Sequence, residues 1–397
     1  MSMTRRQTLA SAGAAVIAGS LAKPAIAAKE PIRIGYLPAL TGLSSSTGIG
    51  LNRGAQLAVQ EINEAGGIDG RQIELISRDT QSDPTKAVNA AVELTRQQQV
   101  HVIIGPLNSG ESLAVVPQLA RLNMPELHPC WVDSLTDPQK YPMCFRAAPT
   151  NRQIGGAANR YVVDVLKLRK VAVIGDTTGY ATASVNAYVP MLKAKGAEVV
   201  YQGNVDAANP DVKPEMLRMR SAGAEAIMPW SVNAGFLSRL INARGEMEWD
   251  VPIVGQTTLG SGQTKALLEK PEYWAKVYPN NFRSCCFDAQ GRLPERTAAF
   301  VERLHKAKVD TSDTLLWWVA AGYDAPMMVA EAVKHAGGTK AEDIVGYWNQ
   351  LKNYPGIYGD ISFTPEQHDG YPDDEIVMCE ANSLKDGAFR LAPGYAA

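Results

Sequence analysis

Apolar and polar positions along the chain follow two alternating periods, and this alternation predicts an α/β fold. In the run Ile32–Tyr36 every second side chain is apolar, which is typical of a buried strand. Residues 41–48 read as a loop of small and hydroxyl-bearing residues, and apolar residues then recur at helical spacing over Ala55–Ile62. The helix is predicted to end at Gly66–Gly67, because glycine readily adopts the backbone conformation that follows a helix.

The same alternation of strand and helix continues through most of the sequence. Strands are predicted at 72–77, 100–104, 124–127, 170–174, 197–201, 226–229 and 252–254, and helices at 85–98, 108–122, 151–166, 180–195, 214–221, 234–244, 294–308 and 315–335. Because helices separate the strands, the sheets are expected to be parallel with right-handed crossovers. The pattern breaks at Phe145–Pro149 and restarts, which predicts two doubly wound lobes with parallel sheets.

The hydroxyl-rich loop at 41–48 is the first candidate for ligand contact. In open α/β sheets, ligands bind outside the carboxyl ends of the strands, and helix N-termini there favour anions. The loop directly follows a predicted strand and precedes a predicted helix. The sequence therefore predicts a small polar ligand at this edge, shared with the matching edge of the second lobe.

Composition narrows the class of protein. The 397 residues are enough for two or three domains, and 45% hydrophobic and 20% charged residues are ordinary for a globular protein. The formal net charge is −2, and it becomes −2 − 3 = −5 without residues 1–27, which hold Arg5, Arg6 and Lys23 and no acid. The chain has no excess of basic residues, so nothing in its charge indicates a nucleic acid partner.

Residues 1–27 have the features of an export signal. Thr4-Arg5-Arg6-Gln7 resembles the twin-arginine motif, a short apolar run follows, and Ala25-Ile26-Ala27 fits a cleavage site. We therefore expect a twin-arginine signal peptide and a mature protein in the periplasm. No later apolar run reaches about 18 residues, so no membrane span is predicted in the mature chain.

The five cysteines favour a disulfide rather than a metal site. Cys130 and Cys144 flank a turn-rich segment and are the pair expected to be bonded in an oxidising compartment. Cys285 and Cys286 are adjacent and unsuited to bond each other. With Cys379 the count is odd, which leaves a thiol over. No Cys or His spacing predicts a metal, and no cofactor is expected.

The sequence contains no recognisable catalytic constellation. There is no GxSxG, no Walker loop and no HExxH, and the five histidines share no motif. We therefore expect a binding protein rather than an enzyme. An exported α/β hydrolase remains an alternative only through a nucleophile outside these motifs.

Five segments together carry a family resemblance: NEAGGIDGR at 63–71, DTQSDP at 79–84, IIGP at 103–106, AAPTNRQ at 147–153 and AGYDA at 321–325. With them the chain resembles the periplasmic substrate-binding proteins of ABC importers, branched-chain amino-acid (leucine/isoleucine/valine-binding) type, to about Phe363. The resemblance implies the type I periplasmic binding protein fold and a receptor that passes a small solute to ABC permease subunits. A sensor of the same fold is an alternative.

The resemblance also implies how the chain is threaded. The first lobe is expected to comprise 28–149 plus 283–356, and the second 150–282 plus 357–397. Three crossings near Pro149, Phe282 and Ile357 would form the hinge.

The resemblance places the ligand site in the loops of both lobes. The implied ligand-binding residues are Ser46, Thr47, Asn108, Ser109, Cys130, Trp131 and Val132 in the first lobe, Tyr180, Trp230 and Thr257 in the second, and Trp317 on the late helix. Ser109 matches a position that meets a ligand carboxylate, although a serine there can also cap the helix. Trp317, at helical spacing, can equally belong to the core.

Two departures from the family bear on the ligand. The family's threonine after the fourth strand is replaced by Cys130-Trp131-Val132, and its acid after strand 252–254 by the neutral Gln256-Thr257-Thr258. A buried ammonium without a carboxylate costs several kcal/mol. An α-amino acid would therefore need Asp133 or Asp176. The alternative is an aromatic carboxylate, an amide or a urea-like solute stacked on Trp131, Tyr180 and Trp230, as in relatives of the family.

Overall fold

The computed structural model describes residues 29–395, and its first half is built on a parallel sheet of five strands. The elements in chain order are β1 (Ile32–Tyr36), α1 (Ser45–Glu64), β2 (Ile73–Ser77), α2 (Pro84–Arg96), β3 (Val102–Ile104), α3 (Ser109–Arg121), β4 (Glu126–His128) and β5 (Cys144–Arg146). The strand order is β2-β1-β3-β4-β5. We call this sheet and the helices around it the first lobe.

A second sheet of six strands forms the second lobe. The chain enters it through α4 (Asn151–Arg160) and continues with β6 (Lys170–Asp176), α5 (Gly179–Ala194), β7 (Glu198–Val205), α6 (Lys213–Ser221), β8 (Ala226–Trp230), α7 (Ala234–Glu246), β9 (Ile253–Gly255), α8 (Gly262–Ala266) and β10 (Val277–Phe282). The order is β14-β10-β9-β8-β6-β7, and β14 alone in this sheet is antiparallel to its neighbour. The predicted fold class, two doubly wound lobes with parallel sheets, is confirmed.

The last part of the chain contributes elements to both lobes. Its elements are β11 (Cys286–Phe287), α9 (Glu295–Lys306), α10 (Leu316–Ala336), α11 (Ala341–Trp348), β12 (Tyr354–Gly356), β13 (Gly359–Ile361), β14 (Ile376–Met378) and β15 (Phe389–Arg390). Helix α10 is buried along most of its length and packs on α1. The two helices approach closely because glycines lie at their interface, Gly54 on α1 and Gly322 on α10. A Cβ on either would lie 1.9 Å from a backbone oxygen of the other helix.

Helix α1 begins earlier than the pattern predicts. Residues 41–48 were expected to be a loop, but α1 starts at Ser45 and includes Ser46 and Thr47 in its first turn. Gly48 fits this turn because a Cβ there would lie 2.0 Å from the carbonyl oxygen of Ala39. A helical turn made of small residues has no apolar periodicity, so the sequence pattern could not reveal it.

Strands β5 and β10 to β15, and helices α8 and α11, were not predicted. Most of these elements are short, and β5 carries Arg146, whose side chain is fully buried. Strand β10 reads VYPNNF, without regular alternation of apolar and polar residues. Both strands hold buried polar residues, which a search for hydrophobic runs passes over.

The segment that follows Ile357 still makes several contacts with the first lobe. The Ile357 N–H donates to Asp324 Oδ2 over 2.7 Å, and the Arg146 N–H donates to the His368 carbonyl over 2.8 Å. The His368 ring also stacks on Phe145 at 3.9 Å. The second sheet resumes only at β14. We therefore propose that the third crossing lies at 372–375 rather than near Ile357.

The predicted signal peptide, 1–27, lies outside the described residues. Within 29–395, no helix combines the length and the apolar character that crossing a bilayer requires.

Candidate functional site

A cleft lies where the carboxyl ends of the two sheets meet. Its lining residues are Ser44, Thr47, Leu107, Asn108, Ser109, Pro129, Cys130, Trp131, Trp317 and Trp318 from the first lobe, and Tyr180, Val232, Gln256 and Thr257 from the second. Most follow a strand or open a helix, which is where doubly wound sheets present their ligand-binding loops.

The lobes touch across this cleft, so the structure represents a closed arrangement. Ser46 Oγ of α1 donates a hydrogen bond to the carbonyl oxygen of Val232, 3.2 Å away in the second lobe. Gly110 of α3 and Gly179 of α5 also meet closely: a Cβ on Gly179 would lie 2.7 Å from Gly110 Cα. Trp131 and Tyr180 are consequently only 7% and 3% exposed.

Helix α3 points its N-terminus into the cleft, and Asn108 caps it. Asn108 Oδ1 accepts a hydrogen bond from the Gly110 N–H at 2.9 Å, while Glu111 Oε2 accepts one from the Asn108 N–H at 3.3 Å. Asn108 Nδ2 donates to Ser44 Oγ over 2.9 Å, which fixes the cap to α1. Because Asn108 is the N-cap, the Ser109 hydroxyl is not needed to cap the helix. This helix end favours negative charge in the cleft.

Aromatic rings from both lobes form one wall. Trp131 follows β4 and stacks on Trp317 of α10, with centroids 6.0 Å apart and planes at 27°. Tyr180 of the second lobe meets Trp131 edge-on at 5.8 Å. Phe282 packs behind Trp317 at 4.8 Å and holds that ring in place. A planar or apolar group in the cleft would contact these rings, and such aromatic contacts add to the benefit of burial.

Several of the lining residues carry buried donors without an intramolecular partner. Among the described residues, Thr47 Oγ1 and the indole Nε1 atoms of Trp317 and Trp318 are buried and make no hydrogen bond. Buried polar atoms are normally paired, and an indole N–H can only donate. Burial also raises the pKa of the Tyr180 hydroxyl, which keeps its proton at neutral pH. These groups therefore suit a solute rich in hydrogen-bond acceptors.

No aspartate, glutamate, lysine or arginine is among the lining residues named above. Asp176 is buried near them, but its oxygens accept hydrogen bonds from the Thr178 N–H at 2.8 Å and from Ser231 Oγ at 2.5 Å. Burial raises the pKa of Asp176, and these hydrogen bonds oppose the rise. Asp133 is exposed and also outside the lining. Neither acid contributes a carboxylate to the cleft wall.

Gln256 occupies the cleft wall where the family carries an acid. Its Nε2 donates to the Ser231 carbonyl, and its Oε1 accepts from the Thr258 N–H at 3.0 Å. These bonds hold the Gln256 side chain within the second lobe. Thr257, the next residue, also lines the cleft. The wall is therefore neutral at this position, as the sequence indicated.

Eight of the eleven predicted residues line the cleft: Thr47, Asn108, Ser109, Cys130, Trp131, Tyr180, Thr257 and Trp317. The other three lie elsewhere. Ser46 bonds the opposite lobe, Val132 packs with Cys144 and Leu135, and Trp230 packs on Tyr188 in the second-lobe core at 4.2 Å. Trp230 is not among the lining residues, so it is not expected to stack on a solute in the cleft.

Six lining residues were not predicted: Ser44, Leu107, Pro129, Val232, Gln256 and Trp318. Most of them are sequence neighbours of predicted ones, so a wider window around each loop would have included them. Trp318 belongs to a core-facing stripe of α10, and only its position next to Trp317 could have marked it. All five cysteines are free and buried, and Cys130 and Cys144 share one apolar cluster. Their disulfide stays a prediction.

Two doubly wound lobes that close on a shared cleft define a solute receptor of the periplasmic binding type. The family model described as Periplasmic binding protein matches residues 31–387, and the chain belongs to that family. Its members are non-enzymatic, solute-binding components of ABC transporters, which places the protein outside the cytoplasm, in the periplasm.

The chain is similar to several curated proteins and solved structures. The chain is 26% identical over 334 residues to a Leu/Ile/Val-binding protein homolog 1 of Brucella abortus, covering 82% of this chain and 84% of that one. LivJ of Streptococcus pneumoniae, solved with isoleucine, has TM-score 0.77, 23% identity and coverage of 91% and 99%. A solute binding protein of Rhodopseudomonas palustris, solved with 3,4-dihydroxy benzoic acid, has TM-score 0.74, 21% identity and coverage of 88% and 93%.

Proposed function

We propose that the protein is the extracytoplasmic receptor of an ABC importer, closing on a small amino-acid-like or carboxylate solute and delivering it to the permease unchanged. The observation that carries the proposal is the cleft between the carboxyl ends of the two sheets, bridged by contacts between the lobes. A solute with more affinity for the closed form shifts the balance between open and closed states. The permease would then read the closed state.

The acidic end of the solute is assigned to the start of α3. Ser109 is the first residue of that helix and lines the cleft, at the positive end of the helix dipole. Hydroxyl and N–H donors together with the positive end of the helix dipole stabilise a carboxylate. Thr47 and the indole N–H groups of Trp317 and Trp318 would complete the donor set.

Within this function, an aromatic carboxylate is favoured over an α-amino acid. The lining residues include no acid to pair an ammonium, and a buried, unpaired ammonium costs several kcal/mol. The stacked rings of Trp131 and Trp317 offer a planar solute an apolar face. The related R. palustris protein carries a benzoic acid derivative, whereas LivJ carries isoleucine. Amides and urea-like solutes also lack the ammonium and remain in the proposed class.

A pair of solutes that differ only in the ammonium tests this choice. 3-Phenylpropanoate and L-phenylalanine share the ring and the carboxylate, and 4-methylpentanoate and L-leucine form the aliphatic pair. Calorimetry is expected to show tighter binding of the member without the ammonium. Tighter binding of the amino acids would contradict the aromatic-carboxylate assignment and leave the receptor function intact.

The receptor function itself is tested on protein purified from the periplasm. Mass spectrometry of the denatured sample identifies a co-purified solute, and thermal shifts are then recorded with amino acids, benzoates, benzamide and urea. A binder raises the melting temperature by an amount that grows with the logarithm of its concentration relative to its Kd. No stabilisation by any panel member and no co-purified solute would contradict the receptor proposal. Chemical conversion of a bound solute would instead indicate an enzyme.

Export by the twin-arginine pathway is a further part of the proposal. It is supported by Arg5 and Arg6 in the motif before the apolar run of residues 1–27. Replacement of both by lysine is expected to retain the precursor in the cytoplasm. Unchanged export of that variant would favour a different pathway.

A further inference from the structure

Two thiols that are distant in sequence touch at the edge of the second lobe. The Sγ atoms of Cys286 and Cys379 lie 3.3 Å apart, although 93 positions separate the residues along the chain. Both side chains are buried. Cys286 Sγ also donates a hydrogen bond to the Phe282 carbonyl oxygen over 3.1 Å.

The backbone around both residues is fixed by strand pairing. Cys286 pairs with Phe389 of β15, and Cys379 forms a bridge with Leu391 two residues further on. The Cys379 N–H also donates to the Pro279 carbonyl over 2.8 Å, beside the pairing of β10 with β14. The tail strand therefore keeps the two cysteines next to each other independently of any bond between them.

These residues sit where the chain leaves the second lobe and where it returns. Cys286 follows β10, and Cys379 follows β14. The same two segments are already linked through the Ser284 N–H, which donates to Glu375 Oε2 over 3.1 Å. A covalent bond here would close a loop that contains α9, α10 and α11.

We propose that Cys286 and Cys379 are oxidised to a disulfide in the exported protein. The contact between the sulfurs is short enough for small side-chain rotations to reach bonding geometry. The family places the protein in the periplasm, a compartment in which disulfides form and persist. The pair differs from Cys130 and Cys144, which the sequence favoured.

The oxidant in this reaction is the disulfide of another protein. One cysteine, as thiolate, attacks a sulfur of that disulfide and releases one oxidant thiolate. The second cysteine, also deprotonated, attacks the mixed disulfide, forms the Cys286–Cys379 bond and releases the other thiolate. Two protons and two electrons leave the protein, and the oxidant becomes a dithiol. The exchange is expected to precede the packing of the tail over the pair, because burial raises the pKa of the Cys286 thiol and disfavours the attacking thiolate.

The disulfide is expected to stabilise the fold without changing the cleft. Neither cysteine is among the lining residues of the cleft. Closure of a long loop restricts the unfolded chain, which raises the free energy of unfolding. Reduction should therefore lower the melting temperature by about 5 °C or more and leave solute affinity unchanged.

Peptide mapping of the intact, exported protein tests the proposal. The cells are treated with an alkylating reagent before lysis, and the protein is digested with trypsin without reductant. The expected product is peptide 284–292 linked to peptide 353–385, which separate into alkylatable peptides after reduction. Cys286→Ser and Cys379→Ser should each abolish the linked product, and Cys285→Ser is the matched control that should retain it.

Two results would overturn the proposal. One is the recovery of both wild-type peptides fully alkylated without reduction, which requires no variant and is independent of solute binding. The other is a linked product that survives in Cys286→Ser and disappears in Cys285→Ser, because the bond would then belong to the neighbouring cysteine.

Discussion

Ser46 Oγ and the carbonyl oxygen of Val232 are 3.2 Å apart and join the two lobes by a hydrogen bond. Ser46 lies in the first turn of α1, and Val232 follows β8 beside the aromatic wall. The bond exists only when the cleft is closed, because its two ends belong to different lobes. It therefore contributes to the closed state and not to the stability of either lobe alone.

Replacement of Ser46 by alanine is expected to weaken solute binding without destabilising the lobes. A typical hydrogen bond contributes about 0.5–1.5 kcal/mol, which corresponds to a roughly 2- to 10-fold loss of affinity in calorimetry. Ser45→Ala, one position earlier on the same helix, is the control and should bind as the wild type does. Equal losses in both variants would mean that the helix, not the bond across the cleft, is responsible.

Gly179→Ala should restrict closure more than Gly110→Ala does. A Cβ on Gly179 would lie 2.7 Å from Gly110 Cα, whereas a Cβ on Gly110 comes no closer than 3.2 Å to any atom. An alanine at 179 would force backbone atoms apart, and only in the closed form. An alanine at 110 would make a tight contact that small shifts can relieve. Small-angle scattering with saturating solute should show a more open particle for Gly179→Ala. Identical scattering of both variants would contradict this contact.

Ser109→Ala is expected to lower solute affinity by about 1–3 kcal/mol, because the solute carboxylate would lose a donor in a buried site. The melting temperature without solute should stay the same, since Asn108 is the cap. Asn108→Ala is the contrasting variant and should lower stability by about 1 kcal/mol. A stability loss in Ser109→Ala with unchanged affinity would make Ser109 a purely structural residue.

Two substitutions of Tyr180 separate its ring from its hydroxyl. Tyr180→Ala removes the edge contact with Trp131 and should weaken binding by about 1–3 kcal/mol. Tyr180→Phe retains the ring and should lose no more than about 1.5 kcal/mol, the net value of a hydrogen bond. Calorimetry of both variants with one solute gives the comparison. Wild-type affinity in Tyr180→Ala would place the solute away from this wall.

Asp324 should make stability fall as pH rises. Burial raises the pKa of this carboxyl to about 8, against a value of about 3.9 in an unfolded chain. Between these values the folded protein keeps a proton that the unfolded chain gives up. The stabilisation is thus complete below about pH 4 and is lost as pH rises through about 8.

Asp324→Asn tests this dependence, because the amide is neutral at every pH and can still accept the hydrogen bond from the Ile357 N–H. Melting temperatures of both proteins are measured from pH 5 to about pH 9. The wild type should lose stability relative to the variant as pH increases. Glu126, whose pKa burial raises to about 8, titrates in both proteins, so the difference reports Asp324. Parallel curves would contradict the assignment.

Much of the fold followed from periodicity, because long helices and buried parallel strands carry strong patterns. The start of α2 is an example: Asp83 precedes a proline, a common helix opening, and its side chain accepts hydrogen bonds from the Thr85 and Lys86 N–H groups. The start of α1 was not predictable, since Ser46 and Thr47 are polar residues in a helix that faces the other lobe. Its position depends on a tertiary contact.

The candidate site was predictable in its loops but not in its side-chain directions. Trp131 comes shortly after β4 and Trp230 ends β8, yet Trp131 lines the cleft while Trp230 packs on Tyr188. Nothing in the local sequence distinguishes them, because the choice depends on which face of the chain the neighbouring helix covers. The contact between Cys286 and Cys379 was equally hidden, since it depends on how the tail strand pairs.

The edge contact between Tyr180 and Trp131, at 5.8 Å, joins a phenol of one lobe to an indole of the other. When the lobes separate, these two chromophores separate as well. Resonance transfer of excitation from Tyr180 to Trp131 then weakens. The intrinsic ultraviolet fluorescence of the unlabelled protein should therefore change when the cleft opens.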